Sequence, residues 1–144
     1  MNTKQLTQNK IIVDGWLHTG DAGYTDDDGF LYLVDRIKDI IISGGINIYP
    51  KDIEEIIVEH PLVAEVAVFG VPHDKWGEVP IAAVTLFMNA ELLETDLVSW
   101  INERVAAKFQ RVLDCFIMAN FPRNVAGKTL KRDIRDIYLN RKTN

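Results

Sequence analysis

The chain has 144 residues, 47% of them hydrophobic and 26% charged, enough to bury the core of one domain, or of one domain and a short addition, which excludes wholesale disorder. Its net charge of −5 sets a generic nucleic-acid binder aside, because such proteins carry basic surfaces, and no apolar run approaches the roughly 20 residues of a membrane span. A lone Cys115 excludes an internal disulfide and a multi-cysteine metal site, and the polar start MNTKQLTQNK, without an apolar signal segment, fits a cytoplasmic protein.

In chain order, residues 1–13 run from polar to briefly apolar, and a Gly- and Asp-rich stretch from Asp14 to Asp21 follows. Asp26-Asp27-Asp28-Gly29 marks a tight turn, which predicts a hairpin between Ala22–Thr25 and Phe30–Val34. Ile40-Ile41-Ile42 reads as a short β-branched strand, Ser43-Gly44-Gly45 as a loop and Ile46-Asn47-Ile48 as a second extended piece. Pro50 suits the first turn of a helix, and Ile53, Ile56 and Ile57 recur at helical spacing up to His60-Pro61. Strands are predicted over Val63–Val71 and Val79–Phe87, antiparallel to each other. A helix begins at Thr95-Asp96 with the stripe Leu97, Ile101, Val105 and Phe109. Cys115–Met118 reads as a strand and Phe121–Lys128 as a loop. Ile134, Ile137 and Tyr138 line a basic final helix. The expected fold is a small α+β domain, its short and largely antiparallel sheet flanked by helices and preceded by a β-hairpin.

Charge is uneven along this order. Residues 1–100 hold 6 Lys and Arg against 17 Asp and Glu, whereas residues 101–144 hold 10 against 4. Two readings stay open: a solvated acidic face with a basic tail helix, or a basic end that meets an anion such as a nucleotide or phosphorylated cofactor.

Four segments carry chemistry: Thr19-Gly20-Asp21; Asp35-Arg36-Ile37-Lys38-Asp39; Ser43-Gly44-Gly45 with Asn47 and Pro50; and Pro122-Arg123-Asn124-Val125-Ala126-Gly127-Lys128. In this order, framed by DGWLHTGDAGYTDDDGFLYLVDRIKDIIISGGINIYPKDIEE, they resemble the adenylate-forming superfamily, and within it the acyl-CoA synthetases (fatty-acid and related acid–CoA ligases). The resemblance covers nearly the whole chain. It implies that residues 1–37 correspond to the last edge of a large N-terminal domain. Residues 38–144 correspond to the small mobile C-terminal domain, with its hinge at Lys38. It further implies that the chain is a C-terminal fragment, inactive alone, since the family's phosphate loop and acyl pocket belong to the large domain.

The resemblance also implies roles. Asp21 corresponds to the carboxylate that holds the ribose hydroxyls of ATP, and Arg36 to an arginine that reaches the same nucleotide. Lys38 is the pivot, where other branches carry Asp. Gly44 and Gly45 correspond to the loop lining the tunnel for the pantetheine arm of CoA. Lys128 corresponds to the catalytic lysine that stabilises charge on the α-phosphate during adenylation. Phe109 and Arg111 correspond to CoA contacts, by stacking and phosphate pairing. Here the sequence departs from the common pattern: Gln110 stands for a frequent basic residue, Val112 for a frequent proline, and Leu113 where some members have a cation. Implied substrates are a carboxylic acid, ATP and CoA, with Mg²⁺ held mainly by the large domain, which is the implied partner. Two alternatives remain: an enzyme that loads a carrier protein's phosphopantetheine, and a non-catalytic α+β binding module.

Each residue also has a plain structural reading. Asp21 could cap a turn, Arg36 could pair on the surface with Asp35 or Asp39, Lys38 could be solvated, and Gly44-Gly45 could be an ordinary turn. Phe109 could be core. Lys128 near a helix start would oppose the helix dipole, which weakens that alternative. His18, His60 and His73 have no ligand spacing, so no metal site is expected. Trp16, Trp76 and Trp100 form no recognisable stacking platform, and Cys115 reads as buried and inert.

Overall fold

A computed structural model describes residues 12–13, 16–17 and 19–144. The polar lead-in, Asp14, Gly15 and His18 lie outside the described residues. The chain divides into two compact units, residues 1–38 and 39–144.

In the first unit, β1 (Ile12–Val13) pairs antiparallel with β2 (Trp16–Leu17). β3 (Asp21–Thr25) and β4 (Leu31–Arg36) form the expected hairpin. Asp26 builds its turn: Oδ1 accepts the N–H groups of Asp28 and Phe30, and Oδ2 accepts the Tyr32 hydroxyl. Those bonds, that from Phe30 foremost, hold the Asp26 carboxyl below its ordinary range against a smaller desolvation effect. Tyr24 and Tyr32 stack across the strands with ring centroids 5.1 Å apart.

The second unit runs β5 (Ile41–Ser43), β6 (Ile46–Ile48), α1 (Pro50–Ile57), β7 (Val63–His73), β8 (Gly77–Leu86), α2 (Glu94–Arg104), β9 (Asp114–Ile117) and α3 (Lys131–Thr143). β8 is central: it pairs antiparallel with β7 along its length, parallel with β9, and at Gly77 with Ser43 of β5. The sheet is thus largely antiparallel with one parallel pair, and the domain is α+β. The alternation of side chains along a strand sorts the apolar residues into two cores. Val68, Ala82, Val84 and Cys115 pack with Ile53 and Ile57 of α1 and with Leu97 and Ile101 of α2. Phe69, Ile81, Ala83 and Phe116 pack with Ile134 and Tyr138 of α3. Burial removes the Cys115 thiol from water and pushes its pKa up to about 12, with Glu94 and Asp114 adding to the effect.

Three elements differ from expectation. α2 stops at Arg104 because Val105 turns extended (ψ 143°); Phe109 belongs to a separate short turn, Lys108–Gln110, and is 42% exposed. On α3, Ile137 is 44% exposed, and Leu139 packs against the core in its place. The loop after β7 is only Asp74-Lys75-Trp76, since β7 continues to His73.

One edge of the sheet is closed by side chains. Glu54 of α1 accepts the Val68 N–H at 2.9 Å, Arg135 of α3 donates to the Gly70 carbonyl at 2.8 Å, and Lys131 joins Glu54 at 2.7 Å. Helices from opposite faces therefore meet over β7 and occupy backbone groups that a free edge would offer to another strand.

Candidate functional site

In the first unit, the antiparallel register sets Asp21 opposite Arg36. Their side chains form an ion pair, Arg36 Nη1 to Asp21 Oδ1, at 2.9 Å. The Ile37 N–H donates to the Gly20 carbonyl at 2.8 Å, which fixes the glycine turn beside the pair. Two residues nominated for one ligand are thus neighbours. The carboxylate accepts hydroxyl donors, and the planar fork of the arginine offers further N–H groups. Lys38 lies in the short turn Ile37–Asp39 and is exposed.

In the second unit, a cleft of about 520 Å³ brings Gly44 together with Phe109 and Arg111. Its walls also include Ile46, His73, Trp76, Lys108 and Leu113, and among the described residues no acidic side chain lines it. Gly44 N–H donates to the Trp76 carbonyl at 2.8 Å. A Cβ at Gly44 would stand 3.1 Å from the Trp76 ring, so the absent side chain is what lets the indole lie against the loop. His73 Nδ1 accepts the N–H groups of Lys75 and Trp76, which shapes the turn carrying the indole. Gln110 turns away from cation duty: its Oε1 accepts the Ala107 N–H at 3.0 Å. Lys108 and Arg111, on either side of Phe109, supply the positive charge. The cleft therefore suits a ligand with a flat ring and anionic groups. Gly45 is not among its lining residues, and nothing stands within 4 Å of a Cβ built there.

Lys128 lies elsewhere, on a turn braced at both ends. Arg123 and Thr129 form a single antiparallel bridge. Asn124 N–H donates to the Lys128 carbonyl at 3.0 Å, and Lys128 N–H donates to Asn124 Oδ1 at 2.9 Å. Gly127 takes φ 81°, a left-handed value that lets the chain reverse here. The Lys128 side chain is exposed and makes no ion pair among the described residues. Its turn precedes α3 by two residues, so it stands outside the helix proper.

Sequence reasoning missed Trp76, Lys108 and His73 as cleft residues. An indole three residues past a histidine carries no signal of its own, because the loop it faces lies more than thirty positions earlier. Among the described residues, no group of three or more His, Cys, Asp or Glu side chains could hold a metal. Among the described residues, no helix is long and apolar enough to cross a membrane.

The sequence model of the AMP-binding enzyme C-terminal domain matches residues 52–128. A 2-succinylbenzoate–CoA ligase of Bacillus cereus (strain ZK / E33L) is 45% identical over 128 residues, covering 89% of this chain and 26% of that protein. The o-succinylbenzoate CoA synthetase of Bacillus subtilis, solved with its acyl-adenylate intermediate, superposes with a TM-score of 0.80 at 39% identity. That alignment covers 93% of this chain and 27% of the other. ATP-bound MatB from Rhodopseudomonas palustris superposes with a TM-score of 0.82 at 34% identity, covering 95% and 27%. The chain spans about a quarter of the length of the curated relatives it matches. With the α+β fold, the ordered motifs and a match over more than half its length, this chain belongs to the AMP-binding enzyme C-terminal domain family.

Proposed function

We propose that this chain serves as the C-terminal domain of an ATP-dependent acid–CoA ligase. In the first half-reaction a carboxylate oxygen attacks the α-phosphorus of ATP and pyrophosphate leaves. In the second, the CoA sulfur attacks the acyl carbon, its proton is lost, and AMP leaves. Asp21 holds the ribose hydroxyls of ATP, and Arg36 reaches the same nucleotide. Lys128 places an ammonium where negative charge gathers on the α-phosphate, and such a fixed charge acts most strongly in the transition state. Lys38 is the pivot about which the small domain changes orientation between the halves. The Gly44-Gly45 loop, with Gly44 on the cleft wall, passes the pantetheine arm, and Phe109 and Arg111 take the adenine and phosphates of CoA. Magnesium arriving with ATP would be held mainly by the large domain, as the resemblance implies. It supplies charge neutralisation on the phosphates when bound.

The observation that carries this reading is the cleft, where a glycine loop, two aromatic rings and two cations face one space, with no acidic side chain among its described lining residues. It favours free CoA, whose nucleotide end needs a ring and cations, over a carrier-bound pantetheine that lacks that end. The test is a pair of half-reactions in the full-length enzyme. Arg111→Ala should raise the KM for CoA about 10-fold or more, the worth of one charged hydrogen bond, while pyrophosphate release from ATP and acid stays unchanged. An unchanged KM for CoA with a raised KM for a carrier protein would favour the carrier reading. The 144-residue chain alone should form no acyl-adenylate.

A further inference from the structure

The Lys128 turn is tied into the sheet by one side chain. Arg123 Nη1 donates to the Gly127 carbonyl at 3.1 Å and to Thr129 Oγ1 at 3.2 Å, gripping the residues on both sides of Lys128. The other guanidinium nitrogen, Nη2, forms an ion pair with Glu65 of β7. Glu65 is itself fixed, since its Oε2 accepts the hydroxyl of Thr85 at 3.2 Å, and Thr85 is its buried cross-strand partner on β8. A continuous line thus runs from the centre of the sheet, through Thr85, Glu65 and Arg123, to the backbone flanking Lys128.

We propose that Arg123, anchored by Glu65, is the positioning residue for Lys128 in adenylation. A lysine side chain is long and flexible, and a charge contributes to a transition state only if it is already in place. Of the bonds that hold this turn, those of Asn124 are local to it. Among the described residues, the Arg123–Glu65 ion pair is the side-chain contact that ties it to a strand of the sheet. As an exposed ion pair it contributes little to stability, so its effect falls on geometry. The planar fork is needed, because one guanidinium must serve a carbonyl, a hydroxyl and a carboxylate together; an ammonium at Arg123 could not span all three. This proposal rests on Lys128 being the adenylating lysine.

Two measurements test it. In the full-length enzyme, Arg123→Ala should lower kcat for pyrophosphate release about 10- to 100-fold, leave the KM for ATP nearly unchanged, and spare thioester formation from supplied acyl-adenylate. Glu65→Gln should give a smaller loss of the same kind, and Arg123→Lys should recover only part of the activity. In the 144-residue chain, Arg123→Ala should speed cleavage after Lys128 by a lysine-specific endopeptidase, with the fragment identified by mass. A raised KM for ATP with Glu65→Gln fully active would mean that Arg123 touches the nucleotide itself, and would overturn the proposal. Equal losses in both half-reactions with a lowered Tm would overturn it as a purely structural effect. Should Arg123→Ala fail to fold, Glu65→Gln and Arg123→Lys decide by the same readouts. Unchanged cleavage after Lys128 overturns the brace whatever adenylation does. Full adenylation by Lys128→Ala removes the underlying reading instead, and with it the role in catalysis.

Discussion

Gly44 carries two constraints at once: its φ of 57° is left-handed, and a Cβ would stand 3.1 Å from the Trp76 ring. Gly45 shares the first constraint (φ 80°) and lacks the second. Gly44→Ala should therefore cost about 1–2 kcal/mol for the backbone and shift the Trp76 indole resonance, whereas Gly45→Ala should cost the backbone part and leave that resonance in place. Urea denaturation with an indole NMR spectrum separates the two. His60 provides a second test. It is buried, its ring meets Trp100 edge-on at 4.8 Å, and its Nδ1 accepts the Leu62 N–H at 3.2 Å. Desolvation, helped by the Arg104 charge, lowers its pKa from 6.5. Protonation would break the Leu62 bond and place a charge in an apolar site. The neutral form is favoured by the fold, so its contribution is fully present above pH 6.5 and is lost as pH falls below that value. The Tm of the native chain should drop between pH 7 and 5 by more than that of His60→Gln; parallel curves would show that His60 does not titrate on unfolding.

The elements show which features of this chain are local. Pro50 at the first turn of α1, the Ile53 and Ile57 stripe and the alternation along β7 and β8 are short-range patterns, and each predicts what forms. The end of α2 is not local. Leu97, Ile101, Val105 and Phe109 keep helical spacing, and Ala106-Ala107 carries no stop signal, so periodicity alone extends the helix. What ends it is tertiary: Asn102 Nδ2 donates to the Val112 carbonyl and its Oδ1 accepts the Val112 N–H, which draws the returning chain against the helix. That early stop frees Phe109 to line the cleft. The site was legible in the same uneven way. Asp21 lies beside Arg36, and Gly44 lies with Phe109 and Arg111, while Gly45 stays off the cleft and Trp76 and Lys108 needed the assembled cleft. Glu54 is equally long-range, serving Val68 and Lys131 at once. Glu54→Ala should cost about 1–3 kcal/mol by leaving the Val68 N–H and a partly buried ammonium unmet, and should raise light scattering of the folded chain at high concentration, since the β7 edge is then open. Denaturation and scattering curves that overlay those of the native chain would refute that role.

At the scale of the whole molecule, stability is concentrated in one unit. Both apolar cores lie within residues 39–144, while Tyr24, Phe30, Leu31 and Leu33 of the β3–β4 hairpin are exposed. Amides of β3 and β4 should exchange with solvent orders of magnitude faster than those of β7 and β8; comparable protection would mean the hairpin has packing of its own. On the proposed function, Lys128→Ala in the full-length enzyme should cripple pyrophosphate release yet largely spare transfer from supplied acyl-adenylate to CoA, and equal losses would sink that division of labour. The sealed sulfur of Cys115 has a separate bearing on this chemistry. An acyl-adenylate is an electrophile meant for a foreign thiol, and a domain that works beside it would be self-poisoned by an accessible thiolate of its own. On the proposed function, its one thiol, buried and with its pKa pushed up to about 12, would be no rival acceptor. For the same reason, a cysteine placed at will on its surface becomes a unique handle for a maleimide dye, and the folded domain can be tracked by fluorescence without first deleting the natural residue.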